Sequence, residues 1–397
     1  MSDNKNLKPG WKVWRFDQMA TNVNVRIDNP SESGMEHYVG LEHLDADSLK
    51  IRRWGSPDDV EATKLMFKKG DIIFGRRRAY QRKLGVAEFD GICSAHSMVL
   101  RAKPEVVLPE FLPFFMQSDL FMNRAVEISV GSLSPTINWK TMAVQEFALP
   151  PMDDQRRTLK VLQASYAVVD SYQSLISASE LLWQSRTTDL FARGAAKETM
   201  PLGDLVSYSS DGPFGSKLKT EHYSAQGARV IRLNNIDRLE FNGADSAFIP
   251  LEYFSELRNY EVKGGDVIIA GLGDDRIPMG RACIVPSEIG SAVNKADCYC
   301  LRTNAKLSAR YLIHFLNSKV GLSQARSMAQ GTTRMRLNLS NIRRFSIPIR
   351  PLDEQNAIAD ELDSYLTAKR EAATRLDSSL LVRDQIRRSA FAEVEYV

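Results

Sequence analysis

The chain repeats itself at a distance of about 200 residues. Comparison of residues 131–193 with residues 331–393 finds ten identities without a gap, which in the first copy are Gly131, Asn138, Pro151, Asp153, Gln155, Leu162, Ser179, Leu181, Phe191 and Ala192. Upstream, Gly70-Asp71-Ile72-Ile73 resembles Gly265-Asp266-Val267-Ile268 at an offset of 195. Two similar halves predict an object with internal pseudo-twofold symmetry. An ancient duplication without functional symmetry is the alternative.

The composition narrows the class of protein. With 397 residues the chain exceeds one ordinary domain, and its 43% hydrophobic and 25% charged residues are typical of globular proteins. The sequence has no run of about 18 apolar residues and no apolar signal core at its start. We therefore expect a cytoplasmic protein with no membrane partner. The net charge of +3 means that a polyanion must bind local basic patches.

No pattern in the sequence predicts catalysis or metal binding. Cys93, Cys283, Cys298 and Cys300 lack zinc-ligand spacing and are expected to be reduced thiols. In a strand, Cys298 and Cys300 would share one face. Phosphate-loop, dinucleotide-binding, hydrolase and zinc-protease motifs are all missing from the sequence. We predict a non-catalytic chain that binds no cofactor or metal of its own.

Each half opens with a strand-rich segment and ends in a long helix. Gly70–Gly75 and Asp266–Ala270 are typical strands ended by small residues, and Glu110–Phe121 and Arg310–Ser318 are typical helices. The remaining predicted strands are Tyr38–Leu41, Gly85–Ala87, Ser97–Leu100, Arg229–Leu233 and Gly280–Val285. Short strands mixed with a few helices predict an α+β domain of about 150 residues in each half.

The two long helices are the clearest structural prediction. Pro151 and Pro351 are each followed by acidic residues, which favour a helix start because carboxylates interact well with its positive end. No proline or glycine then occurs from Gln155 to Arg193, and apolar residues recur at near-heptad spacing. A helix of this length spans roughly 58 Å. We predict that the two helices pair antiparallel; local packing of each helix on its own domain is the alternative.

The densest basic patch lies between two predicted strands, and its candidate contacts are Arg76, Arg77, Arg78, Tyr80, Gln81, Arg82 and Lys83. Guanidinium groups fit phosphates and guanine edges, and glutamine can pair with adenine. Smaller patches add the candidates Arg52, Arg53, Lys217, Lys219, Arg232, Asn234, Asn235, Arg276 and Arg336. Each small patch is equally consistent with a solvated surface, whereas the first favours nucleic acid because five of its eight residues are cationic.

A glycine followed by hydroxyl residues occurs at matching positions in the two halves. The candidate phosphate contacts that follow Gly131 and Gly331 are Ser132, Thr332, Thr333 and Arg334. Capping of local turns is the alternative role. Because B-DNA has a twofold-symmetric backbone, double-stranded DNA is a natural ligand for a chain with two such halves.

In its motifs and their order, the chain resembles a specificity subunit of a type I restriction–modification enzyme. The segments that carry the resemblance are Tyr38–Leu44, residues 67–83, Phe89–His96, Asp211–Lys219, Val230–Ile236 and the two proline–acidic–glutamine helix starts. The resemblance implies target-recognition domains at 1–150 and 195–350. These are separated by spacer helices at 151–194 and 351–397, which pair as an antiparallel coiled coil.

The same resemblance implies a function and a set of partners. Each domain would read half of a bipartite, asymmetric DNA target, and the helices would set the distance between the domains and dock methyltransferase subunits, expected to number two. A restriction subunit would add ATP-driven translocation and cleavage. S-adenosylmethionine, ATP and Mg²⁺ would bind to the partner subunits. A protein-only scaffold with paired helices is the alternative function, and a nuclease is a more distant one.

Overall fold

The computed structural model describes residues 7–192, 194, 196, 198–274, 276–331 and 335–392. The chain forms two compact units. Unit 1 comprises Met1–Tyr172 and Arg375–Val397, and unit 2 comprises Gln173–Thr374. The unit borders fall inside the two long helices, so that each unit contains half of each helix. Among the described residues, no helix combines the length and apolarity that a membrane crossing requires.

Unit 1 places two small sheets beside a group of helices. Its strands are β1 (Lys12–Arg15), β2 (Ala20–Val23), β3 (Arg26–Ile27), β4 (Tyr38–Val39), β5 (Lys64–Phe67), β6 (Ile72–Gly75), β7 (Leu84–Val86), β8 (Gly91–Ser94), β9 (Ser97–Ala102) and β10 (Glu146–Leu149). Its helices are α1 (Phe16–Met19), α2 (Phe111–Met116), α3 (Asp119–Glu127), α4 (Trp139–Ala143) and the first half of α5 (Met152–Phe191). The sheets have the orders β2-β9-β6-β7 and β3-β5-β8-β4, and β1 pairs with β10.

Unit 2 repeats this arrangement. Its strands are β11 (Glu198–Pro201), β12 (Val206–Ser210), β13 (Ala228–Ile231), β14 (Phe248–Ile249), β15 (Glu261–Val262), β16 (Val267–Ala270), β17 (Ala282–Ile284), β18 (Ala292–Asn294), β19 (Cys298–Thr303) and β20 (Ser346–Ile349). Its helices are α6 (Leu251–Glu256), α7 (Ala309–Asn317), α8 (Lys319–Ser327), α9 (Leu339–Arg343) and the first half of α10 (Leu352–Phe391). The sheets have the orders β12-β19-β16-β17 and β14-β13-β18-β15, and β11 pairs with β20.

The two units share a frame and differ at one sheet edge. The trio β5-β8-β4 of unit 1 corresponds to β15-β18-β13 of unit 2, and in both the last pair is parallel. The fourth strand is added on opposite sides: β3 pairs with β5 in unit 1, whereas β14 pairs with β13 in unit 2. The predicted α+β class and the duplication are confirmed, and the divergence between the halves is partly a difference in strand pairing.

The sheet alternation explains the cysteines. Cys298 and Cys300 lie in one buried cluster with Cys283, whereas the intervening Tyr299 faces the other main cluster of unit 2. The four cysteines are buried free thiols, as predicted. The inner strands β16 and β19 are therefore buried on both faces, which is why Val267–Ala270 and Cys298–Leu301 carry no charged side chain.

Both long helices begin at the predicted signal. Pro151 and Pro351 precede the helices α5 and α10, and the first turns carry Asp153 with Asp154, and Asp353 with Glu354. Each helix runs for 40 residues. Burial follows the predicted heptad: Leu162, Val169 and Trp183 are buried on α5, while residues between them are mostly exposed. A stripe this narrow requires a helical partner.

Within each unit, the halves of the two helices pack antiparallel. In unit 2, Arg186 binds Glu361 at 2.7 Å and Glu180 binds Lys369 at 2.8 Å, so rising numbers on α5 meet falling numbers on α10. In unit 1, one groove is lined by residues 154–161 with 385–390 and the next by 161–168 with 378–386. The helix halves also contribute to the domain cores through Leu162 and Leu362. Each helix half therefore packs both on its own domain and on the half of the other helix in the same unit. A coiled coil along the full helices stays a prediction.

One predicted helix was wrong. Glu110–Phe121 was expected to be a single helix, but the chain forms α2 and α3 with a break at Gln117 and Ser118. The Ser118 hydroxyl accepts a hydrogen bond from the Phe121 backbone N–H at 3.3 Å and starts the second helix. Ser318 makes the corresponding contact with Gly321 in unit 2, at 3.1 Å. A serine N-cap inside an apolar segment was the missed signal.

The ion pairs between the helix halves make a prediction for stability. Glu180 binds Lys369 and Arg238, each at 2.8 Å. Burial alone would raise the pKa of Glu180, but hydrogen bonds from Lys369 and Gln184 and the charge of Arg238 outweigh burial and lower it to about 2. A carboxylate with a lowered pKa stabilises the folded state above its unfolded pKa. That contribution declines as the pH falls towards 2.

We expect Glu180→Gln to lower the free energy of unfolding by about 1–2 kcal/mol at pH 7, and by less at pH 3.5. Urea unfolding at both pH values measures the difference. Glu371→Gln is the matched control, because Glu371 is an exposed carboxylate on α10 in the same unit. Equal losses at both pH values would contradict the assigned role of the charge.

Candidate nucleic-acid interface

A β-bridge that closes a hairpin precedes α4 in unit 1, and an equivalent bridge precedes α9 in unit 2. Val130 and Thr136 exchange backbone hydrogen bonds of 3.0 and 2.9 Å, and Gln330 and Arg336 exchange an equivalent pair. The repeated glycines Gly131 and Gly331 have φ values of +117° and +100°, which side chains disfavour. The glycine therefore recurs because the hairpin backbone requires it.

The fold brings this hairpin next to the loop that follows strand β6 in unit 1 and strand β16 in unit 2. In unit 1, the Ile137 N–H donates to the Arg76 carbonyl at 3.0 Å and the Arg78 N–H donates to the Pro135 carbonyl at 2.8 Å. In unit 2, the Leu337 N–H donates to the Gly271 carbonyl at 3.0 Å. The basic patch and the hydroxyl-rich loop, which the sequence offered as separate candidates, form one surface in unit 1. We call the surface formed by these paired loops the loop face of each unit.

The loop face of unit 1 is strongly cationic. Arg78 is exposed and donates to the Ser134 hydroxyl at 3.1 Å, and the Arg77 guanidinium lies 3.4 Å from the His96 ring nitrogen. Arg76 donates to the Ala95 carbonyl at 3.1 Å. Burial, followed by the charges of Arg77, Arg76 and Lys64, lowers the pKa of His96. A site that disfavours a further proton is suited to an anion such as phosphate.

The turn beyond these arginines is held in an unusual conformation. Arg78 and Arg82 have φ values of +58° and +53° and bracket the short 3-10 turn Ala79–Gln81. Left-handed backbone at residues with side chains is uncommon and often marks functional loops. The turn leaves the Tyr80 side chain 55% exposed. Gln81 is half-buried beside it.

Two of the predicted contacts instead anchor the turn. Arg82 binds Asp47 at 2.9 Å and Asp119 at 3.0 Å, and it also donates to the Gln117 carbonyl. Lys83 donates to the Leu41 carbonyl at 2.7 Å. Their donor groups are thus engaged within unit 1. Whether these residues also contact DNA remains a prediction, but their contacts give them a supporting role in the loop face.

The other predicted patch of unit 1 is also internally paired. Arg52 binds Asp170 at 2.6 Å, and Arg53 binds Asp45. The neighbouring Trp54 is 49% exposed and packs edge-on against His37 and Phe89, with ring centroids 5.2 Å apart in each pair. Ser132 lies exposed in the hairpin of the loop face.

In unit 2 the predicted residues are spread over several contacts. Arg232 binds Asp245, and Asn235 is buried and donates to two backbone carbonyls at 2.7 and 2.8 Å. Lys217 lies 3.4 Å from the Tyr260 hydroxyl, and Lys219 lies 3.6 Å from Glu221. Three further predicted DNA contacts of unit 2 are exposed: Asn234, Arg276 and Arg336.

The loop face of unit 2 includes Arg276 and Arg336. Arg336 binds Asp297 at 2.6 Å, and its guanidinium lies 5.6 Å from the Phe214 ring. Thr332, Thr333 and Arg334 lie outside the described residues.

Sequence reasoning missed the side chains that distinguish the two loop faces. Strand register makes Arg77 equivalent to Leu272 and His96 equivalent to Asp297, while the hairpin bridges make Thr136 equivalent to Arg336. The sequence contained one signal for this register, the equivalent pairs Asp71–Arg101 and Asp266–Arg302, which are each bound at 2.7 Å.

Among the described residues, no group of three or more histidine, cysteine or acidic side chains is arranged to hold a metal ion.

Comparison with known proteins agrees with this duplicated architecture. A family model described as type I restriction modification DNA specificity domain matches residues 58–177 and 195–377. The EcoDI specificity subunit of a type I restriction enzyme from Escherichia coli is 23% identical over 230 residues, covering 56% of this chain and 51% of that protein. The MjaVIII specificity subunit from Methanocaldococcus jannaschii is 18% identical over 318 residues, which cover 73% of this chain and 71% of that protein. The chain thus spans only about half the length of EcoDI, the first of these curated relatives.

Solved structures show the same fold. The S subunit of a type I restriction–modification system from M. genitalium has a TM-score of 0.60 at 15% identity, covering 99% of both chains. A chain from a type I system studied for complex assembly and conformational transition has a TM-score of 0.56 at 20% identity, covering 98% of this chain and all of that one. Because the family model matches both halves and most of the sequence, the chain belongs to the family of type I restriction–modification DNA specificity domains.

Proposed function

We propose that this chain is the DNA-recognition subunit of a type I restriction–modification complex. Each unit contacts one half of a bipartite, asymmetric double-stranded target through its loop face. The observation that carries this proposal is that the same hairpin and loop recur in both units with different side chains. A common frame with different hydrogen-bonding groups is what two readers of different base sequences require. We assign the chain no catalysis of its own.

The proposal extends to partner subunits. Methyltransferase subunits, which we expect to number two, supply S-adenosylmethionine chemistry, and restriction subunits supply ATP- and Mg²⁺-dependent steps. Such a complex acts in the cytoplasm. The binding surface we propose for the methyltransferase is an apolar stripe on the unit 1 half of α5, formed by Val161 and Val168. These side chains are 53% and 46% exposed and lie seven residues apart, so they share one helix face.

The first prediction concerns Arg77. Arg77→Ala removes a guanidinium from the cationic loop face of unit 1, so we expect weaker DNA binding. If Arg77 contacts phosphate, all duplexes lose affinity equally, and the slope of log K against log salt falls by roughly one. If it reads guanine, the loss is about 1–3 kcal/mol and depends on one base pair.

Filter binding of random and selected duplexes over a salt series distinguishes these outcomes. Arg156→Ala is the matched control, because Arg156 is an exposed arginine on α5. Unchanged affinity and salt slope would remove Arg77 from the interface. The unmodified chain is tested with and without the methyltransferase. If neither sample shows salt-sensitive retention of DNA on the filter, the scaffold alternative gains support.

The second prediction concerns partner binding. Val168→Asp places a charge in the apolar stripe, and burying it without a counter-charge should weaken methyltransferase association by at least about tenfold. DNA binding by the isolated chain should be preserved. Gln163→Asp adds the same charge at an exposed position on another face of α5 and should have little effect. Calorimetric titration with the methyltransferase measures both; equal losses for the two variants would argue against the stripe.

The third prediction tests the proposal that the long helices set the distance between half-sites. Insertion of four residues into both helices, after Tyr172 and after Thr374, adds about 6 Å and slightly more than one helical turn. Since DNA rises about 3.4 Å per base pair, the preferred spacer should lengthen by one to two base pairs. Sequencing of DNA methylated by the assembled complex reports the spacer. An unchanged spacer with retained methylation would refute this role.

A further inference from the structure

The loop face of unit 2 carries carboxylates where unit 1 carries cationic and neutral groups. Asp211 immediately follows β12, and Asn24 immediately follows the equivalent β2. Asp297 immediately precedes β19, where His96 precedes β9. Among its described residues, this face combines the carboxylates Asp211 and Asp297 with the cations Arg276 and Arg336. It therefore offers carboxylate acceptors at the positions where unit 1 has Asn24 and His96.

The two aspartates have different surroundings. Asp297 is held by the Arg336 guanidinium at 2.6 Å. Asp211 is half-buried, and the backbone N–H groups of Asp297 and Gly212 reach its carboxylate, while its Oδ1 has no hydrogen-bond partner among the described residues. Burial raises the pKa of Asp211 to about 6, against the opposing effect of the Asp297 backbone N–H and the Arg336 charge. A half-buried carboxylate with spare acceptor capacity beside an anchored guanidinium can accept a further donor.

The position of Asp211 suits a ligand rather than a structural bond. Gly212 follows it, and a Cβ at Gly212 would lie 2.1 Å from the Lys295 carbonyl carbon, so the chain is fixed closely at this point. Two residues further on, the Phe214 side chain is 48% exposed beside Arg336. The loop therefore presents an acceptor, an apolar ring and an anchored guanidinium together. This combination matches the edge of a base pair, on which amino donors, ring acceptors and a methyl group lie side by side.

We propose that Asp211 is a specificity-determining residue of unit 2, which accepts a hydrogen bond from the exocyclic amino group of a cytosine in the second half-site. Arg336, oriented by Asp297, donates to a neighbouring acceptor on the same base step. Carboxylates accept from cytosine N4 in the major groove, whereas they repel phosphate. Unit 1 then supplies most of the salt-dependent affinity, and Asp211 supplies discrimination. This inference rests on the proposed function.

The test compares Asp211→Ala and Asp211→Asn with the unmodified chain in complex with its methyltransferase. Targets are first selected from duplexes with random bases using the unmodified complex. Asp211→Ala should reduce discrimination at a single position, in one half-site only, by roughly 5- to 150-fold. Asp211→Asn should shift the preference at that position towards adenine, because an amide pairs with adenine N6 and N7. Affinity for random duplex should stay unchanged or rise slightly, because a negative charge is lost.

Asp204→Ala and Asp204→Asn are matched controls, since Asp204 is an exposed aspartate in the same unit. They should leave the selected sequence unchanged. The proposal is overturned if Asp211→Asn, the variant of nearly equal shape, retains the original preference at every position. It is also overturned if both Asp211 variants weaken selected and random duplexes equally. Failure of the proposed function would show differently, as absence of any selected sequence with the unmodified complex.

Discussion

A buried glutamine at the start of each long helix connects that helix to its globular domain. Gln155 accepts a hydrogen bond from the Leu108 N–H at 2.9 Å and donates to the Val106 and Pro150 carbonyls at 3.2 and 3.0 Å. Gln355 accepts from the Ser308 N–H and donates to the Lys306 and Arg350 carbonyls, each at 2.9 Å. Both side chains are at most 1% exposed. Since buried polar groups must be satisfied, no other side chain can replace glutamine without leaving backbone groups unpaired. These bonds fix the first turn of each helix to its domain, and Leu162 and Leu362 continue the contact in the domain cores.

This constraint explains where the two halves of the sequence stayed alike. The proline, the acidic first turn and the glutamine are repeated because they start the helix and fix it to the loop before α2 or α7. The glycine of each hairpin is repeated because its φ is positive. Asp71–Arg101 and Asp266–Arg302 are repeated because each pair joins neighbouring strands of the central sheet. Apart from this glycine, the loop faces carry none of these requirements, so their side chains were free to differ. Divergence is thus concentrated where the proposed DNA readout takes place.

The same distinction separates what the sequence could predict from what it could not. The long helices, and strands such as β6 and β16, were predictable because their signals are local: proline, carboxylates, glycine and apolar periodicity. The join between Arg76–Arg78 and the 130–136 hairpin was not, because it depends on hydrogen bonds between segments about 60 residues apart in the sequence. The engagement of Arg82 by Asp47 and Asp119 is equally nonlocal. Basic composition identified the patch, while the fold decided which of its cations are anchored.

The second halves of α5 and α10 differ in sequence because each contacts different residues in its unit. In unit 2, the buried Trp183 donates to His314 at 3.0 Å, and His314 in turn contacts Asp363 at 2.9 Å. The equivalent position in unit 1 is Arg383, whose guanidinium lies 5.2 Å from the Tyr166 ring, and one turn later Arg387 binds Asp47 at 2.8 Å.

An exchange of these helix halves would cost stability in both units. In unit 1 it would take Arg387 away from Asp47, and in unit 2 it would remove the indole that donates to His314. The Arg387 side chain is buried and would lose this carboxylate partner, which destabilises unit 1, although Asp47 would keep Arg82. The departure from the repeat at 183–189 and 383–389 thus gives each helix half one preferred unit. Two copies of one frame therefore differ in their helix contacts as well as in their loop faces, which accords with the asymmetric target proposed above.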